Sequence, residues 1–409
     1  MITAQQLFEV FSEEGISSGV AYKNKALKKA IINQVDTNGD TTIAELAKEL
    51  AISTPKITSL VNELIEDGLL RDEGKINSTG GRRANIYGLV SDAGYFLGVD
   101  VKKYSINIGL LDFKKHLVKI KEHIPYSLQN TPQSLTSLIS CIKDFIKEEK
   151  LPKDKILGIG INLSGRINNI TGYSYSFFHF HEEPLSETIE RELGIRTFLE
   201  NDSRAMAYGE FCSGVVNNEK NVLFVNLDYG TGLGVLIDGK VYYGKSGFSG
   251  EFGHMPFFNN EIICQCGKKG CLETEVSGIA LLRMFQEKID KGYSSNLVKK
   301  GKNAGDIKLE DLVIAAQNED MLVIELLSEF SEKLGRALAV LINLLNPELV
   351  ILGGPIAKTG DYMRLPARTS LNKYSLSLVN SDTQFKLSKL GDKAGVMGGC
   401  LIARNKILS

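Results

Sequence analysis

Apolar positions along the chain fall into two regimes. Up to about residue 90 they recur at helical spacing, in short runs broken by polar turns. Leu27, Ile31 and Ile32 mark a first helix over 25–35, which the polar stretch Asp36–Asp40 ends. Ile43, Leu46, Ala47 and Leu50 mark a second. Ile57, Leu60, Val61, Leu64 and Ile65 mark a third, capped by Ser53, tolerant of Pro55 in its first turn and stopped near Gly68. Leu69–Arg71 and Asn85–Leu89 then flank a glycine-rich tip, Gly80-Gly81-Arg82-Arg83, in the pattern of a hairpin. Three short helices and a hairpin predict a winged helix-turn-helix over residues 1–90.

Beyond Tyr95 the pattern changes. Apolar strands are predicted over 96–101, 105–112, 117–124 and 156–161, with a helix over 132–150. A helix at 185–193, a strand at 197–200 and a helix at 203–212 follow. A second cycle has strands at 221–227 and 232–237, a helix at 328–345, a strand at 349–352 and a Gly353-Gly354-Pro355 turn. A last helix is expected near 394–404. Strand-rich starts followed by alternating helices predict two α/β lobes. The expected division is 91–203 with 385–409 for a small lobe, and 204–384 for a large one. The stretch Lys299–Lys308 reads as a polar surface loop.

Composition narrows this picture. Of 409 residues, 43% are hydrophobic and 24% charged, with a formal net charge of −1. That apolar fraction excludes wholesale disorder. No apolar run approaches the roughly 18 residues of a membrane span. The first 18 residues carry Glu9, Glu13 and Glu14 and no basic residue, unlike a secretory signal. Cys141, Cys212 and Cys400 sit in apolar contexts and read as core. Cys264, Cys266 and Cys271 fall within eight positions. In a chain of this size that cluster points to metal rather than disulfides, and to the cytoplasm.

The third helix is the candidate reader of DNA. A recognition helix places its N-terminal residues at base edges in the major groove. Here these are Ser53, Thr54, Lys56, Thr58 and Ser59, hydroxyls and one lysine suited to phosphate positioning and modest base readout. Arg82 and Arg83 at the wing tip could reach phosphates or a minor groove. Residues 1–90 hold ten Lys and Arg against twelve Asp and Glu, a net of −2. Positive charge is therefore local, at Lys23, Lys25, Lys28 and Lys29 and at the wing tip, rather than a broad basic footprint. The same fold pattern also serves protein contacts alone.

His254 followed by Cys264, Cys266 and Cys271 supplies four N and S donors, a closed set for structural zinc. Gly267 and Gly270 let the chain double back between the last two thiols. No position is left over for a catalytic water.

These residues sit within longer motifs. Gly250-Glu251-Phe252-Gly253-His254 precedes Cys264-Gln265-Cys266-Gly267, and Gly270-Cys271-Leu272-Glu273 closes the segment. Glu200-Asn201-Asp202 leads to Gly209-Glu210, Asp228 leads to Gly230-Thr231-Gly232, and Leu352 leads to Gly353-Gly354-Pro355. In these motifs the sequence resembles the ROK family (repressor, open reading frame, kinase), in the form that joins a winged helix to a sugar-kinase-like body. The resemblance extends over essentially the whole chain. It implies an actin-like ATPase fold with a cleft between two lobes. It implies sugar contacts from Asn201, Asp202, Glu251, His254 and Glu273, with Gly165 and Arg166 near the sugar 2-position. Asp202 would be the general base of a kinase. Gly230, Thr231, Gly232, Gly353 and Gly354 would face ATP and Mg2+ if these bind.

One motif departs from the family. Its kinases carry an Asp-x-Gly-x-Thr turn after the first strand, whereas here Asp100 is followed by Val101-Lys102-Lys103-Tyr104-Ser105. Glycine lets backbone amides form a nest for phosphate, and residues with Cβ atoms fit that role poorly. Two functions follow. One is a sugar-responsive regulator, a repressor, acting on operator DNA as a homodimer or homotetramer with a hexose or N-acetylhexosamine effector. The other is an active ATP-dependent kinase with an accessory winged helix. The altered turn and the winged helix favour the regulator.

Overall fold

A computed structural model describes residues 19–75, 84–180, 182–299 and 304–408. At the N-terminus, α1 (Gly19–Asn38), α2 (Ile43–Glu49) and α3 (Thr54–Glu66) bury Ile31, Ile32, Leu46, Ile57, Leu60, Val61 and Leu64. α1 begins earlier than the apolar spacing indicates, because Ala and Lys sustain a helix without marking a buried face. Thr42 and Glu45 form a capping box at α2: Thr42 Oγ1 accepts from the Glu45 amide at 3.2 Å, and Glu45 Oε2 accepts from the Thr42 amide at 2.9 Å. Ser53 occupies the N-cap position of α3, but its hydroxyl makes no capping hydrogen bond there. β2 (Leu70–Lys75) and β3 (Asn85–Leu89) form the expected antiparallel hairpin, with β1 (Thr41–Thr42) on the other side of β3. The expected wing-tip residues Arg82 and Arg83 lie outside the described residues.

The body consists of two five-stranded sheets with one connectivity. The first contains β4 (Tyr95–Val101), β5 (Ser105–Asp112), β6 (Leu117–Pro125), β7 (Ile156–Leu163) and, after the small ribbon β8 (Ile167–Asn168) and β9 (Tyr173–Ser174), β10 (Thr197–Asn201). Their order is β10-β7-β4-β5-β6. The second contains β11 (Val222–Leu227), β12 (Thr231–Ile237), β13 (Lys240–Val241), β14 (Leu349–Gly353) and β15 (Gln384–Leu387), in the order β13-β12-β11-β14-β15. In each, an antiparallel meander is extended by parallel strands laid beside its first strand. This repeated unit is the two-lobed, actin-like fold.

The lobe boundary expected at residue 385 falls inside β15. That strand pairs with β14 through residues 384–387 and belongs to the second sheet. In the first lobe α4 (Pro132–Glu148) and α5 (Leu185–Leu193) match their expected positions, and α6 (Asp202–Ser213) follows β10. The second lobe adds α7 (Gly278–Asp290), α8 (Leu309–Gln317), α9 (Met321–Leu345) and α10 (Asp361–Tyr374). α10 carries Pro366 in its interior, a residue that argues against a helix when only the sequence is read. α11 (Lys393–Leu408) returns to the first sheet. It approaches α6 so closely that a Cβ on Gly398 would stand 1.8 Å from the Ala205 carbonyl oxygen, so only glycine fits.

The winged helix is not hung on a linker. Its buried residues form one hydrophobic cluster with Phe96, Phe113, Leu157, Leu401 and Leu408 of the body. At the seam, Asp36 of α1 receives a bidentate pair from Arg404 of α11, with N–O distances of 2.8 and 3.0 Å. Lys115 adds a third contact to Asp36 at 2.6 Å. The remaining guanidinium donors reach the Phe113 carbonyl. Among the described residues, no helix is long and apolar enough to cross a membrane.

Candidate functional site

The end of β10 feeds directly into α6, and the junction holds two of the expected sugar residues. Asn201 caps α6: its Oδ1 accepts from the Arg204 amide at 3.1 Å, and its Nδ2 donates to the Gly165 carbonyl at 3.0 Å. Asp202 Oδ1 accepts from the Ser203 amide at 2.7 Å, and Oδ2 accepts from Ser164 Oγ at 2.7 Å. Both side chains are thus fixed by neighbours before any ligand arrives. Gly165, with φ +89°, turns the chain here, and Arg166 beside it is exposed to solvent. Ser164 went unnoticed in the sequence; its signal was only adjacency to Gly165. Behind the junction, Arg204 and Glu200 form a buried pair at 2.7 Å that anchors the first turn of α6.

Across the cleft, the thiols and His254 converge. Their ligand atoms all lie within 4.8 Å of one another. Cys266 and Cys271 sulfurs are 3.6 Å apart, and Cys264 Sγ is 3.4 Å from His254 Nδ1. Zn–S bonds of about 2.3 Å in a tetrahedron imply edges of roughly 3.8 Å, so the donor set and spacing fit a tetrahedral metal. Burial pushes the Cys264 thiol up to about 12, so a metal must displace that proton to bind. With Nδ1 turned to the sulfurs, His254 Nε2 lies 3.8 Å from Glu251 Oε2. Glu273 joins this cluster to the neighbouring turn: Oε1 is 3.6 Å from Cys264 Sγ, and Oε2 accepts from the Thr231 amide at 3.0 Å.

The Gly230-Thr231-Gly232 turn then connects to Asp202. A Cβ on Gly230 would meet Glu273 Oε2 at 2.6 Å, and one on Gly232 would meet Ser203 Oγ at 2.0 Å. Thr231 Oγ1 donates to the Val276 carbonyl. The turn thus lies between Glu273 and Ser203, the neighbour of Asp202, and its glycines accommodate the protein's own side chains. Gly353 and Gly354 behave similarly. A Cβ on the first would strike the Phe224 ring, and Gly354, at φ +84°, lies against the Leu227 carbonyl and Asn226 Oδ1.

At the end of β4 the turn after Asp100 is closed by its own backbone hydrogen bonds. Lys102 donates its amide to the Ser105 carbonyl at 2.9 Å, and the Lys103 and Tyr104 carbonyls accept from Leu128 and Tyr126. The Lys102 side chain folds back over Asp100, its Nζ 4.0 Å from Asp100 Oδ2 and 3.4 Å from Asp392 Oδ1. Burial alone would lower the Lys102 ammonium, but the charges of Asp100, Asp228 and Asp392 outweigh it and raise it. Asp392 had no motif to announce it; Lys358 and His123 also reach its Oδ2.

On the winged helix, Ser53, Thr54 and Ser59 are exposed on the face of α3 opposite Ile57 and Leu60, while Lys56 and Thr58 are half-buried. The Thr58 hydroxyl is bonded back to the Thr54 carbonyl at 2.8 Å, and Ser59 Oγ donates to Glu63 at 3.3 Å. Lys28, expected in the basic patch, instead pairs with Glu63 and Asp67 at the end of α3, at 3.1 and 2.9 Å.

Known proteins resemble both parts. The profile of the ROK family matches residues 96–406, and one described as winged helix-turn-helix DNA-binding matches residues 25–71. The xylose repressor of Bacillus subtilis is 28% identical over 379 residues, which cover 92% of this chain and 94% of that protein. Glucokinase of Halalkalibacterium halodurans is 30% identical over 309 residues, covering 75% of this chain and 93% of that one. The crystal structure of a ROK family transcriptional regulator, a homologue of the E. coli MLC protein, aligns with a TM-score of 0.77 and 24% identity over 93% of this chain and 96% of its own.

Proposed function

The chain belongs to the ROK family, and on that premise we propose that it is a sugar-responsive, DNA-binding transcriptional repressor whose kinase-like body serves as a sensor. One observation carries this reading: the winged helix and the first lobe share a single hydrophobic core, so the DNA reader is packed onto the sensing body rather than joined by a free linker. The repressor relative is matched over most of the chain, more than the body alone could supply, whereas the kinase relative is matched over 309 residues. In this reading α3 presents Ser53, Thr54, Lys56, Thr58 and Ser59 to operator DNA, and Arg82 and Arg83 of the wing add phosphate contacts.

The effector is a hexose or N-acetylhexosamine held by Asn201, Asp202, Glu251, His254 and Glu273, with Gly165 and Arg166 at its edge. A ring of hydroxyls asks for carboxylates and an amide, which these residues supply, and the relatives are named for monosaccharides. Zinc on His254, Cys264, Cys266 and Cys271 is structural. It would hold the His254 ring with Nε2 beside Glu251 and steady Glu273 through Cys264. The protein acts in the cytoplasm as a homodimer or homotetramer, because two-fold operators call for two readers.

No sugar-kinase turnover is expected. Asp202 is retained as a base, but the Asp100–Ser105 turn carries no glycine where the family's kinases have one, which speaks against a phosphate nest. Gly230, Thr231, Gly232, Gly353 and Gly354 serve close packing rather than ATP.

The test is selection of bound duplexes from a random pool, followed by anisotropy titration with and without D-xylose, D-glucose and N-acetyl-D-glucosamine. D-glucose or N-acetyl-D-glucosamine should weaken operator binding at least about tenfold, a coupling of roughly 1.4 kcal/mol, and a response to D-xylose alone would overturn the hexose assignment. No selective DNA binding even at low salt, where phosphate contacts are strongest, would overturn the regulator. ATP-dependent turnover on any of these sugars at about 1 per second or more would establish the kinase instead.

A further inference from the structure

Several carboxylates meet on the floor of the cleft: Asp100 at the end of β4, Asp202 at the start of α6, Asp228 after β11 and Asp392 before α11. Asp100 is fully buried, and among the described residues neither of its oxygens has a hydrogen-bond partner. A buried carboxylate in that state carries its charge only with a positive charge beside it, and otherwise keeps its proton. In this chain the charge comes from within. Lys102, two residues along the same strand end, places its ammonium between Asp100 and Asp392.

The turn that delivers Lys102 is itself fastened across the cleft. Tyr104 meets Tyr229 of the second lobe edge-on, with ring centroids 5.1 Å apart. Lys103 Nζ lies 4.9 Å from the Tyr229 ring, and Lys308 Nζ lies 5.9 Å from the Tyr104 ring. Tyr229 in turn donates its hydroxyl to Glu310 Oε2 at 3.1 Å. These contacts hold the turn that carries Lys102 against the second lobe, so the backbone from which the ammonium reaches the floor is fixed.

We propose that Lys102 is a tethered counter-ion that occupies the place of an external divalent cation, so that this cleft neither needs nor admits one. A divalent cation would have to displace this ammonium to reach Asp100. The inference concerns cation binding alone and stands apart from the reading of the protein as a repressor.

The experiment uses the full-length, zinc-loaded chain and manganese chloride at pH 8, with bound metal read by electron paramagnetic resonance. The wild type should take up no Mn2+ at this site. Lys102→Ala should bind one Mn2+ per chain, at least tenfold more tightly than any binding by the wild type. Lys102→Ala with Asp100→Asn should lose that gain, which assigns it to the cleft floor. If Lys102→Ala folds poorly, Lys102→Gln keeps the side-chain length without the charge, and its melting temperature should rise when Mg2+ is added while that of the wild type does not. Stoichiometric Mn2+ on the wild type that Asp100→Asn abolishes would overturn the proposal. So would folded Lys102 variants that gain neither Mn2+ binding nor stabilisation by Mg2+.

Discussion

At the residue scale, Asp100 couples the cleft to pH. Burial pushes its carboxyl up from 3.8 to about 7; Lys102 pulls it back, and Asp202, Asp228 and Asp392 push it further. Because the folded state holds this proton more tightly than the unfolded chain, its stabilising contribution is complete below about pH 4 and lost as pH rises through 7. Asp100→Asn should therefore melt at a higher temperature than the wild type at pH 8 and at nearly the same temperature at pH 4. The gain at pH 8 is on the order of a few kcal/mol. Thermal melts across that range check it, and equal shifts at both ends would refute it. The sequence showed Lys102, Lys103 and Tyr104, and no glycine, in the turn after Asp100. It could not show where the Lys102 side chain goes, because its partner Asp392 lies 290 positions away. Likewise, the carboxylate and thiol identities were plain in the motifs, but Ser164 behind Asp202 and the fold-back of the Thr58 hydroxyl depend on backbone positions that no spacing encodes.

At the scale of elements, the segments most legible in the sequence were those with one buried face. The three N-terminal helices and strands β4 to β7 lay close to where apolar spacing put them. α7, α8, α10 and β15 were missed. α10 hides behind an internal proline, and β15 is a short strand whose place is set by β14 rather than by its own residues. The segment from His254 to Glu273 has little regular structure, only two single-turn helices and isolated bridges. Its order should depend on metal. Elemental analysis should find one zinc per chain, and Cys264→Ser should lower the melting temperature by several degrees. An unchanged melt would contradict that role. On α3, Lys56→Ala should weaken binding to all DNA sequences alike and reduce the slope of log affinity against log salt by about 1. A loss confined to one operator base would mean that Lys56 reads sequence instead.

At the scale of the whole molecule, the seam between reader and sensor rests on Asp36 and Arg404. Arg404 is 2% exposed, and Asp36 also carries Lys115. Asp36→Asn strands the buried Arg404 guanidinium and should cost about 3–5 kcal/mol, the range for removing one partner of a buried pair. Arg404→Met should cost less, since Lys115 still faces Asp36. Urea denaturation compares them, and the reverse order would show that packing rather than charge holds the seam. The shared core has a further consequence for how such a protein can be re-engineered. A fragment of residues 19–90 would leave Ile31, Leu64 and Leu89 without Phe96, Phe113 and Leu408, so the reader is not a cassette to be cut out and grafted. New operator preferences are open to this chain through exchanges on the solvent face of α3, while an exchange of whole readers would have to carry β4, β5 and α11 with it.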